Sequence, residues 1–228
     1  MGGPVAVTGK LIRASLGSLS RRPPSFSFEG VGLTFQPAAG AQPFALTSAE
    51  RVEFHLRAGP DDEGGVFARL DGGRPRPDGL LGLVAGDMPV AVVWNSTLSR
   101  MGAFAGPDWP GAVRAWSRAG GRMSVREAGL TAGAARLGAR GGTLGVDEEG
   151  RLSGALDVTL GEAPRALAAM GTLGVIPPEQ AQAATTVVEA RQAGEAARAT
   201  LAFEAGRTTL GPVALGPAPK VYEAAGRR

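Results

Sequence analysis

The sequence has no cysteine, a single histidine and no apolar run long enough to span a bilayer as a helix. Without cysteine, disulfides, thiolate catalysis and zinc ribbons are excluded. The single histidine, His55, excludes the usual zinc sites, and a histidine-dependent triad would have to use this one residue. We therefore expect no cofactor and no metal ion, although residue counts leave open a carboxylate site for Mg²⁺ or Ca²⁺.

Aromatic residues are also scarce, at 5% of the chain, whereas glycine and proline are frequent, at 36 and 17 residues. A core built from Val, Leu and Ala with such frequent breakers favours many short strands over long helices. The predicted fold class is α+β and mostly β, a curved antiparallel sheet with two to three packed amphipathic helices. We expect residues 1–228 to form a single domain, with an irregular segment over 1–25 and an edge strand and tail over 207–228.

Charge argues against nucleic acid as a partner. The net charge is +3, and the 22 arginines are scattered along the chain, whereas a nucleic-acid reader would cluster them on one face. Arginine together with abundant Ala, Gly and Pro is also typical of a GC-rich bacterial genome.

Alternating apolar residues predict strands from residue 26 onward. The alternation changes parity at Glu29-Gly30, which predicts a β-bulge there. In "RVEFHLR" (51–57) the apolar parity opposes His55, which we therefore expect to be a solvated surface residue. Further strands are predicted in "VFARL" and "PVAVVWN", and later at about 122–130, 135–146 and 151–160, with a second bulge at Gly141-Gly142.

Helical spacing appears in "GPDWPGAVRAWSRAGG", where Trp109, Val113 and Trp116 share one face. Asp108 can cap this helix and Gly120-Gly121 can end it. With nearby Phe104, these residues form the densest aromatic group and the candidate ligand-binding site. Two interpretations remain open, because a helix that plugs the core and a helix that lines an apolar groove bury the same face.

Two more helices are predicted after the third of these later strands, in "EAPRALAAMGTLG" and from Pro177-Pro178 to about Gly194, followed by a strand in "RATLAFEAG". The tail "RTTLGPVALGPAP" (207–219) is predicted to be an edge strand. Pro212 and Pro217 cannot donate to a ladder, so they would protect this edge against pairing with other chains.

No catalytic motif is present: there is no G-x-S-x-G elbow, no phosphate-binding loop opening a helix, and no EF-hand spacing in the acidic clusters. We therefore expect a protein that is not an enzyme and that has no catalytic residues.

The hairpin "LGVDEEGRLSGAL", the apolar helix pair after it and the closing "G…LGP…LGPAP" resemble a family of alphaproteobacterial envelope proteins known as a domain of unknown function. The resemblance covers about residues 26 to 220. It implies a periplasmic, β-rich domain, similar in style to the AsmA-like proteins that handle lipids on curved sheets. Members of the family begin with a membrane anchor, which is missing here, so membrane association is expected only through such an anchor.

Three functions are compatible with these observations. The first is a non-enzymatic envelope protein that binds or transfers a lipid or other hydrophobic ligand. The second is a structural module that pairs with an envelope protein through its sheet edges, and the third is a hydrolase with an unrecognised carboxylate site. They differ in what they require. A lipid binder needs an open apolar concavity, an interaction module needs a flat apolar patch or a free sheet edge, and a hydrolase needs convergent carboxylates in a cleft.

Overall fold

The computed structural model describes residues 5–17, 23–40, 44–190 and 197–222. Twelve strands form one open, curved antiparallel sheet. Neighbouring strands in the sheet are consecutive in the chain from β3 to β12, and β1 and β2 lie end to end along β3. The strands are β1 (Val5–Thr8), β2 (Leu11–Gly17), β3 (Ser25–Pro37), β4 (Leu46–Ala58), β5 (Gly64–Pro75), β6 (Val90–Leu98), β7 (Met123–Ala132), β8 (Ala135–Val146), β9 (Leu152–Gly161), β10 (Ala197–Glu204), β11 (Arg207–Leu210) and β12 (Val213–Pro217).

The helices are inserted between strands of this meander. They are α1 (Leu80–Ala85), α2 (Trp109–Arg118), α3 (Ala163–Thr172) and α4 (Pro178–Ala190), with a short 3₁₀ turn at Met101–Ala103. Within the described part of the chain, no helix is both long and apolar enough to cross a bilayer.

The two faces of the sheet differ sharply in polarity. One row of directly paired residues runs across nine strands and is apolar throughout: Ala14, Phe28, Phe54, Ala68, Trp94, Ala128, Ala139, Val158 and Ala199. We call the side that carries this row the apolar face. Because side chains alternate along a strand, the neighbouring row lies on the opposite, polar face.

On the polar face, Glu29 and Glu53 are direct cross-strand partners. Arg51 bridges the two carboxylates, at 3.0 Å and 2.6 Å. On the next strand Arg69 donates to Asp71 over 2.7 Å, and this hydrogen bond, with the Coulombic attraction of the same carboxylate, raises the pKa of Arg69. Glu29, Arg51 and Glu53 therefore form one ion-paired group on this face, and Arg69 and Asp71 form another.

Helices cover the apolar face unevenly. Helices α3 and α4 pack over β7 to β12, where Leu167, Ala184 and Val188 join the largest core cluster with Leu156 and Val158. Over β2 to β5 the same face is only partly covered. Phe28 and Phe54 are half-buried, and at the edge Ile12 and Leu16 are 46% and 61% exposed.

The predicted fold class is confirmed, as are the three later strands, the helix after Asp108 and the bulge at Gly141-Gly142, where the register of β8 with β9 shifts. The tail does reach the edge of the sheet, but as two strands, β11 and β12, rather than the single edge strand predicted; only β12 is outermost. The predicted end of α4 near Gly194 lies outside the described residues.

Two expectations about the strands differ from the structure, and one helix was not foreseen. The N-terminal segment 1–25 is not irregular where it is described, because β1 and β2 pair regularly with β3. No bulge occurs at Glu29-Gly30: β3 keeps its register with β4, and the change of parity comes at Gly32, whose φ of +61° turns the strand. Helix α1 was not predicted at all.

His55 also differs from its predicted role as a solvated residue. It is half-buried on the polar face and stacks on Phe67, with ring centroids 6.0 Å apart. Its Nδ1 is shielded from water and has no hydrogen-bond partner among the described residues. The cross-strand aromatic neighbour, which sequence alternation does not reveal, explains the burial.

Candidate functional site

The candidate site is built around helix α2, which begins as its sequence dictates. The Asp108 carboxylate accepts a hydrogen bond from the Gly111 backbone N–H over 2.7 Å, and Pro110 occupies the first turn, where no donor is needed. This cap fixes the start of the helix, and so fixes which residues point at the sheet.

The structure brings all four predicted site residues to one cavity, but it does not bury them equally. Val113 and Trp116 are 2% and 3% exposed and belong to the core beneath α2. Phe104 is half-buried, and Trp109 is 54% exposed at the first residue of the helix. Val113 and Trp116 are therefore part of the core, whereas Trp109, at the first residue of the helix, lines the cavity from an exposed position.

Trp116 is held in one orientation by two contacts. Its Nε1 donates to the backbone carbonyl of Ser99 over 2.7 Å, so its polar atom is satisfied. Its ring stacks on Phe104, with centroids 5.0 Å apart and ring planes 18° apart. The pair forms a fixed aromatic floor, because neither ring can rotate without breaking the stack.

We call the space beside this floor the α2 cavity, and its volume is about 480 Å³. It lies between α2 and the apolar face of the sheet, and none of the described residues that line it carries a charge. Besides the four predicted residues, its walls include Phe54, Leu56, Val66, Leu98, Met101, Met123, Leu144, Val146, Leu152 and Val221. The volume falls within the usual range for small-molecule sites.

Several of these wall residues were missed as site residues by sequence reasoning. Leu56 and Val66 face each other across β4 and β5, far from α2 in the chain. The alternation of Val52, Phe54 and Leu56 did indicate one apolar face. What it could not indicate was that this face would lie opposite α2, since that depends on the order of strands in the sheet.

The wall on the far side of α2 comes from residues 218–222, which we call the return segment. After β12 it crosses back over the start of β9: Leu152 N–H donates to the Pro219 carbonyl, and Val221 N–H donates to the Gly150 carbonyl, each over 2.8 Å. Tyr222 is 1% exposed and packs beneath α2, with Arg114 5.5 Å from its ring centre. One wall of the cavity, at Val221, thus comes from a segment more than 100 residues away from α2 in sequence.

The described walls of the cavity offer a ligand mainly apolar contacts. Its walls offer rings and aliphatic side chains, and the two indole N–H groups are already bonded, Trp116 to Ser99 and Trp109 to the Val221 carbonyl. Within the described residues, no group of three or more His, Asp or Glu side chains is placed to hold a metal ion. The arrangement can exclude water and enclose a hydrocarbon.

Comparison with known proteins gives one match. The family model described as an uncharacterized protein conserved in bacteria (DUF2125) matches residues 2–219. No curated protein and no solved structure matches the chain. Because the match spans nearly the whole sequence, the chain belongs to the DUF2125 family of conserved bacterial proteins.

Proposed function

We propose that the protein binds a lipid or another hydrophobic ligand, and that the α2 cavity holds part of it. The observation that carries this proposal is the cavity itself: about 480 Å³ between a helix and a sheet, lined by uncharged side chains in the described part of the chain, with a half-exposed aromatic residue at its opening. An apolar ligand that enters such a space gains burial without leaving a polar group unpaired.

The exposure of Trp109 supports an opening at the start of α2. An indole that is 54% exposed while its N–H is already bonded presents mainly apolar ring to the solvent. Phe54 and Leu56, on the opposite wall, are half-buried, so the space between them and α2 is accessible from the surface. A ligand chain passing between these walls would cover all three side chains.

The proposal also includes the cellular location of the protein. We infer a role in the periplasm of an alphaproteobacterium, where the protein would handle lipids in the manner of AsmA-like proteins. The amphipathic sheet supports the lipid-handling part of this inference, because a sheet whose apolar face is only partly covered by its own helices can bind a hydrophobic ligand on the remainder.

The proposal is tested by filling the cavity. Ala112 lies on α2 and lines the cavity, so Ala112→Phe should occupy the space that a ligand needs. Binding of cis-parinaric acid, a fatty acid that fluoresces in apolar surroundings, should weaken in this variant. The matched control is Ala183→Phe, on an exposed position of α4 away from the cavity. Equal binding by both variants and the parent protein would remove the cavity as the site.

The natural ligand is identified by mass spectrometry of organic extracts. The protein is purified from its native envelope and extracted beside a mock purification. A defined lipid enriched near stoichiometry supports the proposal and names the ligand. An extract identical to the mock speaks for a different role.

That different role is a structural module pairing through a sheet edge. One observation favours it: β2 is an edge strand whose apolar-face residues Ile12 and Leu16 are 46% and 61% exposed. The other edge, β12, carries Pro217 at its end and follows Pro212. If this role is correct, Ile12→Lys should abolish capture of a partner protein and leave parinaric acid binding unchanged.

A further inference from the structure

A second apolar cavity lies on the same face of the sheet, beneath α1 and α3. We call it the α3 cavity; its volume is about 240 Å³, and its walls include Leu81, Val84, Leu130, Leu160, Ala166 and Met170. Leu81, Leu130 and Leu160 are half-buried, so this cavity too is accessible. Among the described residues lining the two cavities, only Arg136 carries a charge.

The two cavities stand at opposite ends of shared strands. On β7, Met123 lines the α2 cavity and Ala132 lines the α3 cavity, nine residues apart, which is roughly 30 Å of strand. Strands β8 and β9 likewise contribute to both cavities, yet no residue within the described ranges lines both. The face therefore offers two separate hydrocarbon compartments in one layer.

The surface between the compartments is also apolar. It is crossed by the paired residues Ala68, Trp94 and Ala128, all half-buried. The indole N–H of Trp94 donates to Ser96 over 2.9 Å, and Ser96 is itself 1% exposed, so neither offers an unpaired polar atom to a ligand. A hydrocarbon that leaves one cavity toward the other meets no charged side chain in this row.

From this arrangement, and resting on the proposed lipid-binding function, we propose that the ligand is an amphiphile with two hydrocarbon chains, one in each cavity. A cavity of about 150 Å³ already holds benzene, so both compartments accept a hydrocarbon segment. A folded partner cannot enter spaces roofed by helices. A single chain filling both would have to lie exposed over Trp94, whereas a two-chain amphiphile places its polar head there, where the face meets water.

The test counts ligands by native mass spectrometry, using oleate as the single-chain probe and dioleoylphosphatidylglycerol as the two-chain probe. Ala112→Phe blocks the α2 cavity, and Ala166→Phe blocks the α3 cavity. Leu81→Trp, on α1, blocks the α3 cavity independently in case one variant is poorly folded. Ala168→Phe, exposed on α3 outside both cavities, is the matched control, and thermal unfolding checks that each variant is folded.

We expect one dioleoylphosphatidylglycerol or two oleates on the parent protein. Either block should lower affinity for the two-chain probe by about tenfold or more and leave one oleate bound. If the α3-cavity variants bind the two-chain probe like the parent while Ala112→Phe does not, the two-chain proposal is wrong and the lipid-binding function stands. If the parent protein bound only one oleate and either block abolished that binding, a single chain would span both cavities, which would also overturn the proposal. If both probes bind and no block changes their binding, neither cavity is the site, and the placement of the ligand in the α2 cavity fails as well.

Discussion

The indole N–H of Trp109 donates to the backbone carbonyl of Val221 over 3.2 Å, although 112 residues separate the two in sequence. This bond joins the start of α2 to the return segment, and both residues line the α2 cavity. The opening of the cavity is therefore set by a contact between its helix and a segment that arrives last in the described chain.

Trp109 and Trp116 should respond oppositely to truncation. Trp116 is 3% exposed, so Trp116→Ala should lower the free energy of unfolding by about 3–5 kcal/mol, as large-to-small core substitutions do. Trp109→Ala removes a half-exposed ring and one hydrogen bond, which should cost about 1 kcal/mol, and should weaken parinaric acid binding. Urea denaturation and fluorescence titration measure the two effects. If Trp109→Ala proved as destabilising as Trp116→Ala, the opening described here would be part of the core.

The cap of α2 gives a second prediction. Asp108→Ala removes the acceptor of the Gly111 N–H and should lower the free energy of unfolding by about 0.5–2 kcal/mol. Asp108→Asn keeps a side-chain acceptor and should retain most of the stability. Urea denaturation of both variants checks this. Equal losses would mean that the negative charge, rather than the hydrogen bond, stabilises the helix start.

Tyr222 supplies a test of the return segment. Its hydroxyl is buried and has no hydrogen-bond partner among the described residues. Tyr222→Phe should therefore leave the stability unchanged or raise it by about 1 kcal/mol, since a buried unpaired hydroxyl is unfavourable. Tyr222→Ala should cost about 3–5 kcal/mol, because the ring fills space beneath α2. Thermal and urea unfolding compare the two, and a loss of stability in the phenylalanine variant would reveal a partner for the hydroxyl.

The turn before β9 is shaped around the same ring. Gly150 has a φ of +80°, and a Cβ at this position would lie 2.8 Å from Cε2 of Tyr222. Gly150→Ala should therefore be destabilising by about 1 kcal/mol or more, from backbone strain and overpacking together. Gly65→Ala is the control, because a Cβ there meets no atom within 4 Å. Similar stabilities for the two variants would show that Tyr222 and the return segment can shift to make room for the added methyl group at little cost.

On the polar face, Arg51 relieves the repulsion of two opposed carboxylates. Arg51→Gln should lower the free energy of unfolding by about 0.2–1 kcal/mol, the usual range for exposed pairs. Adding Glu29→Gln should restore most of the loss, because Glu53 then faces no second charge. The restoration should shrink as salt is added. Failure of the double variant to recover at low salt would argue against the repulsion.

Local pattern predicted local structure well. Leu152, Leu156, Val158 and Leu160 alternate cleanly, and β9 lies where they predicted it; Asp108 caps the predicted helix. Helix α1 escaped prediction because it has six residues and no side-chain cap at its start. Strands β1 and β2 were not predicted because the alternation of apolar residues there is short and is broken at Gly9-Lys10.

The candidate site was predicted only in part, and for a physical reason. Phe104, Trp109, Val113 and Trp116 lie close together in the chain, so helical spacing could group them. Leu56 and Val66 reach the same cavity through strand pairing, and Val221 reaches it through the return segment. Such long-range neighbours follow from the order of strands in the sheet, which alternation along a single strand does not specify.

The return segment also has a consequence for biosynthesis. Helix α2 can form soon after its residues leave the ribosome, but the wall that Val221 provides is made only about a hundred residues later. Until then the aromatic floor of Phe104 and Trp116 faces an open side. The α2 cavity is therefore complete only after residue 222 has been translated, and before that point the nascent chain presents an unfinished compartment.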